Sequence, residues 1–201
     1  TDLVKYKYEG GFKLWECSED LVEFMTSNLN FVEENVKNKN ILELGCGHSL
    51  PSIHCLLYCN ANICAFQDYN HDVIENLTIP NIIVNLNDEK LLDKTMERCE
   101  FYSGDWGFMS EQQLNKFDLI LMSDTIYHVD SYDRLYRAIK SSLKKGGKVL
   151  CGAKSYYFGC GGSTKQFKEF IQQKEGSNVK IETVKDIMDG TSNVREILLF
   201  T

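Results

Sequence analysis

Proline is scarce, only 2 residues in 201, and no repeat or low-complexity tract is present, so a long disordered linker is not expected. Long apolar runs are missing too. The longest, around Leu119–Met122, falls far short of a membrane span, and no cationic segment followed by an apolar stretch opens the chain; neither a membrane helix nor a signal peptide is expected. Basic charge is in deficit. At a formal net charge of -7 the chain gains nothing from neutralising phosphates, which argues against direct binding of nucleic acid, whereas a basic protein partner suits the sign. No C-x-x-C pair occurs among Cys17, Cys46, Cys55, Cys59, Cys64, Cys99, Cys151 and Cys160, which disfavours zinc and thioredoxin-type sites. His54, Cys55 and Cys59 share one short segment, but no second ligand pair supports them, so no metal site is expected. Most of the cysteines lie in apolar runs, which predicts reduced, buried thiols in a cytosolic or nuclear protein.

What is present is an alternation of strand and helix patterns. A chain of 201 residues suits one domain, and hydrophobic (43%) and charged (25%) fractions are those of an ordinary globular core and surface. Strands are predicted at Asn40–Leu44, Ile63–Gln67, Cys99–Ser103, Phe117–Met122, Lys148–Ala153, Val179–Val184 and Val194–Phe200. The first five lack clean polar alternation, as parallel strands buried on both faces do. The last two, joined by a loop holding Gly190, read as an antiparallel hairpin on one edge. Ser18 is placed as the cap of a helix reaching about Val36 and broken near Asn28–Asn30; others are predicted at Leu50–Tyr58, His71–Leu77 and Asp130–Leu143, the last closed by Gly146-Gly147. Ser163 with Gln166 forms a capping box for Ser163–Gln173. Residues 85–97 read as loop with at most a helical turn. The whole is a doubly wound α/β fold, one domain over 1–201, with a leading segment and helix (1–36) and a core (37–201) of seven mostly parallel strands carrying helices on both faces. Ligands bind such folds beyond the carboxyl ends of the strands.

Those ends carry acids. Glu43-Leu44-Gly45-Cys46-Gly47 is a strand running into a glycine turn, where Gly45 and Gly47 let backbone approach a ligand closely. Ser49 stands where a dinucleotide site has its third glycine, and the anionic Glu43 would repel a pyrophosphate. A carboxylate there suits a ligand bearing an ammonium and no phosphate, as S-adenosylmethionine does. Asp68 follows the second strand, 23 residues beyond Gly45, where an acid holds a ribose diol; the plainer role is capping the helix near His71. Gln67 precedes it, and Tyr69 offers a face for an adenine. After the third strand, Ser103-Gly104-Asp105-Trp106 supplies an acceptor for the adenine amino group and a wall for the ring, or simply a polar turn beside a core tryptophan. The fourth strand ends in Ser123-Asp124-Thr125-Ile126-Tyr127. Four strand ends in succession thus carry Glu43, Asp68, Asp105 and Asp124, a coincidence that unrelated turns rarely produce.

The pattern resembles the seven-β-strand (class I) S-adenosylmethionine-dependent methyltransferases, and Asp124-Thr125-Ile126-Tyr127 looks like the acid-x-x-Tyr motif of those that modify lysine or histidine in proteins. Two further segments, Tyr8-Glu9-Gly10-Gly11-Phe12-Lys13-Leu14-Trp15-Glu16-Cys17 and Ala153-Lys154-Ser155-Tyr156-Tyr157-Phe158-Gly159-Cys160-Gly161-Gly162, resemble those of the protein-histidine N-methyltransferases. The likeness runs from about Tyr8 to the C-terminus. It implies a Rossmann-like fold, S-adenosylmethionine as cofactor, and a protein substrate of the large ribosomal subunit; the enzyme is expected to act as a monomer in cytoplasm or nucleus. Trp15 is expected to close over the cofactor, with Glu16, Cys17 and Ser18 near its methionine end, though Trp15 would also serve as a staple for the helix. Asp124 is the candidate to accept from the far ring N–H of the target imidazole, with Tyr127 beside it; Asn70 is the lesser candidate. Lys154 stands at the end of the fifth strand, within reach of Asp124 or of the substrate. Two rival readings are a lysine methyltransferase on the same scaffold and a non-catalytic ribosome-assembly module.

Overall fold

The computed structural model describes residues 10–86, 88–112, 114–190 and 193–201; Tyr8 and Glu9 of the leading segment lie outside them. The elements are α1 (Glu16–Ser27), α2 (Leu29–Asn35), β1 (Asn40–Leu44), α3 (Leu50–Tyr58), β2 (Ile63–Asp68), α4 (His71–Val73), α5 (Ile79–Val84), α6 (Leu92–Met96), β3 (Cys99–Ser103), α7 (Trp106–Glu111), β4 (Phe117–Ser123), α8 (Tyr132–Ser142), β5 (Leu143–Lys154), α9 (Thr164–Glu175), β6 (Ile181–Ile187) and β7 (Arg195–Phe200). They form one seven-stranded sheet in the order β3-β2-β1-β4-β5-β7-β6. β1 to β5 run parallel, while β7 is antiparallel to both β5 and β6. The order reverses between β1 and β4, and that switch point is where a doubly wound sheet opens its crevice.

Alternation along the strands explains the unpatterned sequence. In β4, Leu119 and Leu121 face the α1, α3 and α5 side, among Leu21, Met25, Ile53, Leu56, Phe66 and Ile82. Ile120 and Met122 face the α8 and α9 side, among Tyr132, Leu135, Phe167 and Ile171. Both faces are covered, so both sets are apolar. All eight cysteines carry free thiols, and six of them are buried in this core.

Several boundaries differ from the sequence reading. Ser18 does not cap α1. Trp15 holds the N-cap position without a side-chain bond, and the Ser18 hydroxyl donates back to the Trp15 carbonyl at 2.7 Å. The break at Asn28 is present. The helix after β2 does not stop at Leu77: a π-helical turn, Ile74–Thr78, carries it on into α5, where Pro80 sits in the first turn. A proline removes a backbone donor, and the wider turn ahead of it absorbs the lost bond. Residues 85–97 hold α6 and a short 3-10 turn, and α7 fills the connection between β3 and β4, where the alternation calls for a helix but no bounds were predicted. β5 begins at Leu143 rather than Lys148, because Gly146-Gly147 does not close a helix but lies in the strand, where its register with β4 shifts. β6 runs three residues further than expected. Ser163 caps α9 as foreseen, accepting from the Gln166 N–H at 3.1 Å.

Candidate active site

Two cavities open at the carboxyl ends of the parallel strands, and they share Trp15, Asp124 and Tyr127. One, the glycine-turn cavity, is lined by the glycine turn, Asp68, Tyr69, Gly104, Asp105, Trp106 and Ser123, with Leu14 and Ser18 from the leading segment. The other is walled by Lys154, Tyr157, Phe158, Cys160 and Asn193.

The floor of the glycine-turn cavity is built from backbone. Gly45 and Gly47 both have left-handed backbone (φ +66° and +48°), and a Cβ on Gly45 would come within 2.9 Å of the Thr125 methyl. Ser49, in the third-glycine position, is left-handed as well at φ 59°, a conformation that disfavours side chains other than glycine or asparagine. Gly11 lies against Gly47 and Asp68, so the leading segment roofs the turn. Asp68 ties the turns together: Oδ2 accepts from the Gly47 N–H and Oδ1 from the Asn70 N–H, each at 3.0 Å. The N-cap position of α4 belongs to Asn70.

Four of the foreseen cofactor residues stand behind the wall rather than in it. Gln67 is a buried brace. Its amide oxygen accepts from the Gly45 N–H (3.2 Å) and the Trp106 indole (2.9 Å), and its amide donates to the Gly104 carbonyl (2.8 Å). Glu43 does not line the cavity, contrary to the expectation that it meets an ammonium there. It lies wholly enclosed beneath the turn, with Oε2 accepting from the Ser52 N–H of α3 at 3.0 Å and Oε1 without a partner among the described residues. Burial above all pushes its carboxyl up to about 8, and the charge of Asp68 adds to this. Glu16 faces Lys154, 3.0 Å from Oε2 to Nζ, and Cys17 is buried. Asp105 lines the cavity, but its carboxylate is engaged: Oδ1 caps α7 through the Gly107 N–H (2.7 Å) and Oδ2 holds Arg134 (2.9 Å). Asp105 thus serves as a cap and ion-pair partner at the cavity's edge, and each of its oxygens keeps a further lone pair for the acceptor role read from the sequence.

Asp124 stands where the two cavities meet. Its backbone is left-handed (φ 52°), so the side chain turns back from the end of β4 toward α1. Oδ2 accepts from the Cys17 N–H at 3.2 Å, and Oδ1 from the Tyr157 hydroxyl at 2.7 Å. Burial raises its pKa above the usual carboxylate value, against the pull of Tyr157, Cys17 and Lys154. Tyr157, pushed well above the phenol range by burial and by Asp124, remains a hydroxyl donor. Tyr127 packs edge-on against Tyr157 with ring centres 6.4 Å apart. Trp15 bonds through its indole N–H to the Gly10 carbonyl (3.1 Å) and carries two ammonium groups over its ring, Lys13 at 4.4 Å and Lys154 at 5.5 Å. The bond of Tyr157 to Asp124 had no signal in the sequence. Among the described residues no group of three His, Cys, Asp or Glu side chains is arranged for a metal ion, and no helix is long and apolar enough to cross a membrane.

A family model described as lysine methyltransferase matches residues 5–175. The chain belongs to that family. Among curated relatives of this chain, a Dictyostelium discoideum protein named "Histidine protein methyltransferase 1 homolog" is 46% identical over all of this chain and 60% of its own length. The Bos taurus protein of the same name is 36% identical over 87% of this chain and 51% of its own. The chain thus spans about half to three fifths of the length of these relatives. The methyltransferase domain of bacterial CtHen1-C shares its fold, with a TM-score of 0.64 at 15% identity over 90% of this chain and 97% of that one.

Proposed function

We propose that this chain is the catalytic domain of a protein-histidine N-methyltransferase that uses S-adenosylmethionine. The observation that carries the reading is the meeting of two cavities at one carboxylate, Asp124, with Trp15 and Tyr127 on the boundary. The glycine-turn cavity suits the cofactor chemically. Its glycine turn gives close backbone approach, Asp68 offers a carboxylate for a diol, Trp106 and Tyr69 offer ring faces, and a helix end dressed for phosphate is missing because Glu43 lies under it. When bound, the cofactor supplies an electrophilic methyl group.

The chain's own residues prepare the acceptor. A neutral imidazole, with a reference pKa of about 6.5, is already nucleophilic, so alignment and choice of tautomer are what it needs. Asp124 accepts from the far ring N–H and compensates the imidazolium that forms. Tyr157 and the Cys17 N–H hold that carboxylate still. Tyr127, Tyr157 and Phe158 wall the approach and exclude water. A lysine acceptor, with a reference pKa of about 10.4, would first have to lose a proton beside Lys154. The names of the relatives favour histidine as well.

The same reading takes the substrate to be a protein of the large ribosomal subunit, on resemblance, and has the enzyme act as a monomer in cytoplasm or nucleus, in keeping with eight free thiols. The experiment is transfer of tritium from labelled S-adenosylmethionine to proteins of a cell extract, followed by acid hydrolysis and amino-acid analysis. Label in methylhistidine is expected; label in methyllysine would replace this reading with the lysine one. Calorimetry with S-adenosylmethionine tests the cavity itself. Asp68→Ala should weaken binding by about 1–3 kcal/mol, the worth of a hydrogen bond to a charged group, and unchanged affinity would leave Asp68 only its role in bracing the turns.

A further inference from the structure

An ion ladder runs from Lys154, on the wall of the substrate cavity, along the sheet edge to Arg195. Lys154 ends β5 and Arg195 begins β7, and the two are direct cross-strand neighbours. Each meets an acid of α1, and those acids are one helical turn apart: Lys154 lies 3.0 Å from Glu16, and Arg195 binds Asp20. The second rung is the stronger. Arg195 forks onto Asp20, Nε to Oδ2 at 2.6 Å and Nη2 to Oδ1 at 3.1 Å, and both residues are more than nine-tenths buried. Its Nη1 donates to Asp189 of the loop after β6 at 2.8 Å. A bidentate guanidinium–carboxylate pair fixes orientation as well as distance, which a single ammonium contact does not.

What this pair holds is the first turn of α1. Cys17 lies one turn before Asp20 and donates its backbone N–H to Asp124. The helix is seated on β5 so closely that a Cβ at Gly152 would come within 3.0 Å of the Cys17 carbonyl. Contact with the sheet fixes the depth of α1, but it leaves sliding and rotation along the strand to be fixed by other groups. The fork on Asp20 supplies that constraint. We infer that Arg195 is a positioning residue for methyl transfer: through Asp20 it sets the pose of α1 in which the Cys17 N–H reaches Asp124. The role in transfer rests on the function proposed above, while the positioning itself is a statement about this chain alone.

Selective ¹⁵N labelling of cysteine gives one amide signal per cysteine, eight in all. Asp124→Asn identifies Cys17 by the signal that moves. In Arg195→Met that same signal is expected to move toward its Asp124→Asn position, while those of Cys64 and Cys99, in β2 and β3, stay in place. Asp20→Asn should give the same displacement, and serves if the arginine variant does not fold. Tritium transfer to the cell extract at saturating S-adenosylmethionine should fall about tenfold or more, as small misplacements of reacting groups do, with cofactor affinity by calorimetry within about threefold of the parent. A Cys17 signal that stays put in both variants overturns the positioning. So does a displaced signal with unchanged transfer, or a loss of transfer matched by an equal loss of cofactor affinity, which would report general damage. Label appearing in methyllysine with the unaltered protein would instead overturn the proposed histidine specificity and leave the amide result standing.

Discussion

Asp124→Asn is expected to lower methyl transfer by about 10²- to 10⁴-fold while leaving the affinity for S-adenosylmethionine within about twofold, the range set by loss of one positioned proton acceptor. The substitution is isosteric. An amide oxygen still accepts from the Cys17 N–H, and the Tyr157 hydroxyl, which also accepts from the Lys154 N–H at 3.1 Å, keeps one of its two bonds. Asp124 touches both cavities, yet the residues that build the floor of the glycine-turn cavity, Asp68, Gly45 and Gly47, are held by Gln67 and by each other, so that floor survives. What is lost is the negative charge that fixes one imidazole tautomer and offsets the imidazolium. Single-turnover transfer and calorimetry on the same variant separate these effects. A variant that transfers at the parental rate, or one that loses cofactor affinity in step with transfer, would remove Asp124 from its assigned role.

Tyr127→Phe offers a smaller companion effect. Tyr127 contributes a ring at the boundary of the cavities and an edge against Tyr157. Removing the hydroxyl keeps the packing, so transfer should fall by no more than about tenfold, the worth of one neutral hydrogen bond. A larger loss, measured in the same tritium assay, would promote the phenol to a group that acts on the acceptor directly.

The architecture was legible where local pattern decides it. Five apolar strands without alternation require a sheet covered on both faces, and acids at successive strand ends mark the crevice; β1 to β5, and the cavity above them, follow from these signals. Boundaries failed where a residue can satisfy two elements. Gly146-Gly147 ends a helix as easily as it bends a strand, and pairing with β4 decides it. Ser18 is a good cap by type, but Trp15 is the residue left at the chain's turn into α1. Site roles failed for a different reason: which way a side chain faces depends on partners distant in sequence. Asp105 meets Arg134, Gln67 bonds three groups at the ends of β1 and β3, and Arg195 meets Asp20 across 175 residues. No spacing rule spans such distances. The acid-x-x-Tyr motif put Asp124 in the site, and only the fold shows that Tyr157 and Cys17 hold it there.

Glu43 carries the second large effect, and its sign follows from its enclosure. With no exposed surface and one oxygen lacking a partner, the carboxyl is raised to about 8 by burial, so the folded protein keeps a proton that the unfolded chain, with an ordinary glutamate near 4.3, gives up. Between those values the folded state binds more protons than the unfolded one. Stability therefore falls as pH rises through this window, by up to about 1.4 kcal/mol per pH unit, and the loss levels off above pH 8. The total is on the order of 3–5 kcal/mol, a large share of what holds a domain of this size together. Glu43→Gln keeps the shape and an oxygen for the Ser52 N–H but has no proton to lose. Its urea midpoint, measured without cofactor, should lose this slope between pH 5 and 8, and the variant should gain on the parent steadily toward pH 8. Its new amide N–H groups cost about 1–3 kcal/mol if they stay unpaired, which moves the whole curve and not its slope. Two curves that run parallel from pH 5 to 8 would show that Glu43 is ionised in the folded state, and the negative charge beneath the glycine turn would then have to be counted with that of Asp68 in any account of how this cavity receives a cation.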